Sequence, residues 1–195
     1  MEIKLIKSKY LYGCMDQNTY LVLGKKEAVL IDAGAEVGDI KNTLAGRKLK
    51  MVLMTHLHFD HIWNLEKIVS EFNCPVFIQK GAEKMMADSN LNASFLIGQK
   101  MEFNIDKKYI KFYEKNMVKT DEFDIQVINT PGHTKDSVCL LVQDTLFSGD
   151  TLFAFGTGRT DLAGGDESEM ENSLKKLKEI DYTLLCPGHG ETLSK

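Results

Sequence analysis

The sequence predicts a layered α/β sandwich carrying a site at one edge of its sheets. Three observations predict it: apolar runs of strand length recur along the chain, amphipathic helical runs follow them, and clusters of His, Asp, Gly and Pro stand where the strands end. Strands and helices with one apolar face bury it only by stacking in layers, and convergent polar groups at strand ends mark where such layers bind ligands.

Residues 2–7 alternate Ile3 and Leu5 with charges, and the extended runs 19–23 and 27–31 are joined by a tight turn at Gly24 and Lys25-Lys26. A helix is expected over 36–45, where Val37, Ile40 and Leu44 fall at helical spacing and Gly46 stops it. Met51-Val52-Leu53-Met54 reads as a strand buried on both faces, ending at Thr55-His56-Leu57-His58-Phe59-Asp60-His61. Ile62, Leu65, Ile68, Val69 and Phe72 then share one helical face, closed by Asn73 and Pro75 before a short strand at 76–78. From Gly81 to Lys119 the pattern weakens to a helix at 82–87, a Ser/Asn-rich connection and charged sequence with scattered aromatics, with no function assigned to it. Strands return at 123–128, 138–142 and 145–147. Met170, Leu174, Leu177 and Ile180 line a later helix, and a last strand at 183–186 runs into Pro187-Gly188-His189-Gly190. No repeat, low-complexity tract or Gly/Ser linker divides the 195 residues, so one domain over 1–195 is expected.

Composition narrows the function. The chain is 43% hydrophobic and 27% charged with 3 Pro, which is ordinary globular usage. A formal net charge of −4 without a dense Lys/Arg block argues against a nucleic-acid partner. No run reaches the roughly 18 apolar residues of a membrane helix, and residues 1–9 lack a signal-peptide stretch, so a cytoplasmic protein acting on a small molecule is expected, its oligomeric state left open. Cys14, Cys74, Cys139 and Cys186 form no CxxC pair and are read as free thiols, with Cys139 and Cys186 as small buried residues.

The chemistry lies in the histidines. All five fall at predicted strand ends: His56, His58 and His61 together, His133 after Thr130-Pro131-Gly132, and His189 between Gly188 and Gly190. Residues two apart in extended backbone project to one side, so His56 and His58 can pinch one cation while Asp60 and His61 turn to a second. This gives His56, His58 and His133 for one ion and Asp60, His61 and His189 for the other, with Asp150 able to bridge. Imidazole and carboxylate at this density suit zinc first, with iron or manganese as alternatives, and not calcium or magnesium. Two divalent ions against Asp60, Asp150 and one hydroxide leave about one positive charge, attractive to an anionic substrate, and bound water would ionise at a pKa near roughly 7.

The order THxHxDH, PGHT, SGDT and PGHG, here 55–61, 131–134, 148–151 and 187–190, resembles the metallo-β-lactamase superfamily over essentially the whole chain. Phe147-Ser148-Gly149-Asp150-Thr151-Leu152-Phe153 and Gly158-Arg159-Thr160-Asp161-Leu162, followed by Gly164-Gly165, are most similar to its small glyoxalase II-like, or hydroxyacylglutathione hydrolase-like, group. The resemblance implies a four-layer αββα sandwich with the metal site at one edge of its two sheets. It implies His56, His58, His133 and Asp150 as ligands of the first ion, and Asp60, His61, His189 and Asp150 as ligands of the second. Asp60 and Asp150 are then catalytic as well as ligating, Asp32 and Thr55 support the ligands from behind, and Arg159 binds an anionic part of the substrate. Trp63-Asn64 and Lys135-Asp136 depart from the family's glycines and Pro-Gly.

The implied activity is hydrolysis of a small thioester or ester by metal-bound hydroxide. The chain stops five residues after Gly190, where glyoxalase II proper carries a helical domain that clamps glutathione, so glutathione recognition does not carry over with the chemistry. A mononuclear-iron sulfur oxygenase of the persulfide dioxygenase kind, using His56, His133 and Asp150, is the alternative from another reaction class, and a lactonase is a third. A metal-binding or redox module that is not an enzyme fits less well, because di-iron oxidoreductase relatives carry Glu where His58 stands.

Overall fold

The computed structural model describes residues 1–8 and 16–195, and in it two six-stranded mixed sheets stack face to face. The first contains β1 (Glu2–Lys7), β2 (Asn18–Leu23), β3 (Glu27–Ile31), β4 (Lys48–Leu53), β5 (Val76–Ile78) and β6 (Ile110–Phe112), side by side in chain order. The next strands are β7 (Met117–Lys119), β8 (Asp124–Asn129), β9 (Val138–Val142) and β10 (Thr145–Gly149). A small ribbon of β11 (Leu152–Phe153) and β12 (Gly156–Thr157) follows, and β13 (Leu184–Pro187) and β14 (Leu193–Ser194) complete the second sheet in the order β14-β13-β10-β9-β8-β7.

Side-chain alternation explains the layering. In β2, Tyr20 and Val22 face the partner sheet while Leu21 and Leu23 face outward, and in β3 Val29 and Ile31 face inward while Ala28 and Leu30 face out. Between the sheets these residues meet Ile125, Val127, Leu140, Val142 and Phe147. Outside the first sheet lie α1 (Val37–Leu44) and α2 (Leu65–Phe72), through Ile40, Leu44, Leu65, Ile68 and Val69. Outside the second lies α3 (Glu167–Lys178), through Leu177 against Cys139, Leu146 and Leu185. The four αββα layers expected are therefore present, and the interior strands read as continuous apolar runs because both of their faces are covered.

The elements differ from expectation in detail. Ala45, in left-handed backbone at φ 48, ends α1 one residue before Gly46, and Asn73 at φ 48 ends α2. Ile62 lies in the turn before α2, which begins only at Leu65. The helix expected at 82–87 is a 3-10 helix (Ala82–Ala87), with Ala82, Met85 and Met86 buried. Cys74, Cys139 and Cys186 are buried free thiols, and Cys14 lies outside the described residues. Among the described residues no helix is long and apolar enough to cross a membrane.

Strand direction places the polar loops. β3, β4 and β5 run parallel, so Asp32 and the segment from Thr55 to His61 leave the first sheet at one edge. β10 and β13 are parallel, and β8 runs in the same direction because β9 is antiparallel to both β8 and β10. His133, Asp150 and His189 therefore leave the second sheet together. The backbone bond from Val138 N to Thr55 O, 2.8 Å, ties the two sheets at this edge.

Candidate metal centre

All five histidines and three aspartates converge at that edge. Three sets have ligand atoms within 4.8 Å of one another: His56, His58 and His133; His56, His61 and Asp150; and Asp60, His61 and His189. Asp150 joins them, with Oδ1 3.3 Å from His61 Nε2 and Oδ2 3.6 Å from His133 Nε2 and 3.4 Å from His189 Nε2. Asp60 Oδ2 lies 3.0 Å from His189 Nε2 and 3.8 Å from His61 Nε2.

The far side of each ring fixes what it offers the centre. His133 Nδ1 lies 2.7 Å from the carbonyl oxygen of Arg159 and His189 Nδ1 lies 3.2 Å from that of Asp16, and a carbonyl only accepts, so both rings carry a proton on Nδ1. His61 Nδ1 donates to Asp32 Oδ2 at 2.8 Å. Thr55 Oγ1 gives its proton to the Asp32 carboxylate, at 2.9 and 3.0 Å, and so accepts from His56 Nδ1 at 3.2 Å. With Nδ1 engaged this way, Nε2 is the atom each of these four rings turns inward. His58 differs, presenting Nδ1 to His133 Nε2 at 2.9 Å.

The electrostatics favour cations. Burial, reinforced by His61 and His58, keeps His56 well below the usual imidazole range, and burial with His133 beside it pushes His58 down to about 3. Burial opposes charge on Asp60 and Asp150 as well, yet His61 and His189 hold both carboxyls low. Burial works against a charged His61 too, but Asp32, Asp60 and Asp150 outweigh it and raise that histidine well above its ordinary value. The three carboxylates thus draw positive charge toward the centre, onto His61 and, through Asp150 and Asp60, onto His189, whose imidazole is raised against the burial that opposes it.

A pair of divalent ions fits this donor set. His56 Nε2, His61 Nε2 and Asp150 Oδ1 are buried with no hydrogen-bond partner, a costly state for polar atoms at this centre unless a cation meets them. Gly188 has no Cβ to overlap Asp150 Oδ1 or to come within 2.7 Å of His61 Cε1, so the backbone passes against the ligands themselves.

Every expected ligand is therefore in the cluster. Asp32 and Thr55 stand behind it, with Asp32 also accepting from Thr55 N at 2.8 Å. Arg159 divides in two: its carbonyl orients His133, while its guanidinium is exposed and held by Asp161 at 2.7 and 2.8 Å. Sequence reasoning missed Asp16, Gln17 and Asn18, which contact the His189 loop. The available signal was three polar residues, Gln17-Asn18-Thr19, leading into an apolar strand where buried polar groups need partners.

Comparison with known proteins gives the same family by independent routes. A family model described as the metallo-beta-lactamase superfamily matches residues 12–189. A probable metallo-hydrolase of Methanocaldococcus jannaschii is 34% identical over 190 residues, covering 92% of this chain and 90% of the relative. The crystal structure of the B3 metallo-beta-lactamase BLEG-1 is similar with a TM-score of 0.88 at 29% identity, over 99% of this chain and 94% of that one. A protein crystallised in a di-iron-bound form is similar with a TM-score of 0.79 at 28% identity, over 93% of this chain and 91% of the other.

Proposed function

The chain belongs to the metallo-beta-lactamase superfamily, and on that premise we propose that it is a metal-dependent hydrolase of small thioesters or esters, glyoxalase II-like in its chemistry. The observation that carries the proposal is Asp150, whose Oδ1 lies 3.3 Å from His61 Nε2 and whose Oδ2 lies 3.6 and 3.4 Å from His133 and His189 Nε2, beside the buried His56 and His61 nitrogens that have no hydrogen-bond partner. His56, His58, His133 and Asp150 would hold one ion, and Asp60, His61, His189 and Asp150 the other. The name of the relative in M. jannaschii supports a metallo-hydrolase, and the di-iron form of one structural neighbour adds iron to zinc as a metal to test.

Two divalent ions would lower the pKa of a water molecule toward roughly 7 and polarise a carbonyl. The chain's own residues do the rest. Asp32 and the carbonyls of Asp16 and Arg159 keep protons on the outer ring nitrogens, so the inner lone pairs stay available. Asp60, whose side chain is 14% exposed, would accept the proton of an attacking water through its carboxylate. A thiol of pKa near 8.5 leaves with little protonation, so a thioester needs no further general acid. Arg159 meets an anionic end of the substrate by exchanging Asp161 for it, a swap that its exposure permits.

The test is the metal content of the purified protein, counted per chain by plasma emission, with hydrolysis of a lactoyl thioester measured beside it. Two ions and thioester turnover are expected. One iron per chain, no hydrolysis and oxygen uptake on a persulfide would overturn the reading in favour of a sulfur oxygenase.

A further inference from the structure

We propose that Asn18 is a positioning residue for His189, and that the polar start of β2 sets whether the Asp60, His61 and His189 ligand set takes its ion. The proposal rests on the two-ion reading above. The Asn18 side-chain amide donates to the carbonyls of Pro187 and Gly190, both at 3.0 Å, and so straddles the dipeptide Gly188-His189. Its backbone N–H donates to the carbonyl of Gly188 at 2.7 Å, and Tyr20 Oη donates to that of Pro187 at 2.8 Å. Gln17 forms a bridge with His189, and the carbonyl of Asp16 takes the proton of His189 Nδ1. Five consecutive residues, 16–20, thus include four that grip the His189 loop across the gap between the sheets.

The orientation of the Asn18 amide shows which property matters. Both of its N–H groups are used while its Oδ1 is buried without a partner, so the position spends an unsatisfied acceptor to provide two donors. Turned over, the amide would set its oxygen against two carbonyl oxygens. A carboxylate of the same shape could do nothing else, and would add a negative charge. His56, His58 and His133 are held from elsewhere, by Thr55 and the Arg159 carbonyl among others, so loss of the Asn18 clamp falls on one ligand set.

The experiment compares wild type, Asn18→Asp and Asn18→Ser, each stripped by chelation and titrated with zinc(II) by calorimetry and with cobalt(II) by visible absorption. The melting temperature of each metal-free protein is recorded in parallel. A partner behind a metal ligand is typically worth 10–100-fold in affinity. For Asn18→Asp one of the two binding steps should weaken by about 10–100-fold and the other by less than about threefold, with the cobalt band of the weakened step lost at matched metal. Asn18→Ser keeps one donor and should fall between, which preserves the test if the aspartate variant does not fold. Unchanged steps in a folded variant, or equal weakening of both, would overturn the clamp while leaving the two-ion reading intact. A wild-type chain that takes one ion would instead sink the two-ion reading, and the proposal with it, before any variant was compared.

Discussion

Asp32 and Asp136 are both buried aspartates, but their surroundings give them opposite roles. Asp32 sits in left-handed backbone at φ 61 and accepts from Thr55 N, Thr55 Oγ1 and His61 Nδ1, so its charge is used in holding Thr55 and the candidate ligand His61. Asp136 has a buried Oδ1 with no partner, and burial pushes its carboxyl from 3.8 up to about 6. A carboxyl whose folded pKa is raised favours folding below its unfolded pKa and loses that contribution as pH rises through the folded value. Asp136 therefore costs stability progressively between pH about 4 and about 6, by about 3 kcal/mol in all at roughly 1.4 kcal/mol per unit. Asp136→Asn should match wild type in urea unfolding at pH 3.5 and exceed it by up to about 3 kcal/mol at pH 8; a variant no more stable at pH 8 would show that the charged form is already satisfied. The candidate ligands were legible because five of five histidines beside Gly and Pro turns form a pattern, and Asp32 because it ends a strand. Asp136 was not legible as a buried acid, since the sequence Thr-Lys-Asp-Ser reads as solvated loop until the fold closes over it.

The elements that carry the ligands follow the same division. Strands buried on both faces and helices with a long apolar stripe declare themselves, which is why β2, β3, β4, α2 and α3 were legible to within a few residues. β6, β7, β11, β12 and β14 have two or three residues each, too few to display a period, and their pairing is dictated by neighbours distant in sequence. The loop after β13 shows how finely an element end is tuned. Gly188 is not in left-handed backbone, so its lack of a side chain serves only the close approach to Asp150 and His61. Gly190, at φ 78, has open space where a Cβ would point, so its need is conformational. Gly188→Ala should therefore lower metal content at least about tenfold in affinity by displacing ligands, while Gly190→Ala should cost about 1–2 kcal/mol of stability and retain its ions. Plasma emission and urea unfolding on both variants separate the two effects, and equal metal loss in both would mean that loop conformation, not the Gly188 contact, controls the site.

At the scale of the molecule, the centre occupies an edge where the two sheets are joined by polar groups instead of an apolar core. His56, His58, Asp60 and His61 come from the first sheet, and His133, Asp150 and His189 from the second, so ions held among them would staple one sheet to the other. The apolar core between the sheets, built from Tyr20, Val29, Ile31, Leu53, Val127, Leu140 and Phe147, does not depend on that staple. Removing the ions should thus lower the melting temperature without removing the fold. A ligand present at about 100 times its dissociation constant stabilises by about 2.7 kcal/mol, and each kcal/mol moves the melting point of a domain this size by about 2–4 °C. Chelation is expected to lower the melting temperature by about 5–10 °C, to leave the far-ultraviolet circular dichroism unchanged at 25 °C, and to be reversed by added zinc. If melting did not shift when emission analysis showed the ions gone, the two sheets would be held at this edge by protein contacts such as the Val138–Thr55 backbone bond and those of Asp16, Gln17, Asn18 and Tyr20 to the His189 loop. Collapse of the dichroism on chelation would instead mean that the inter-sheet core cannot stand without the metal edge.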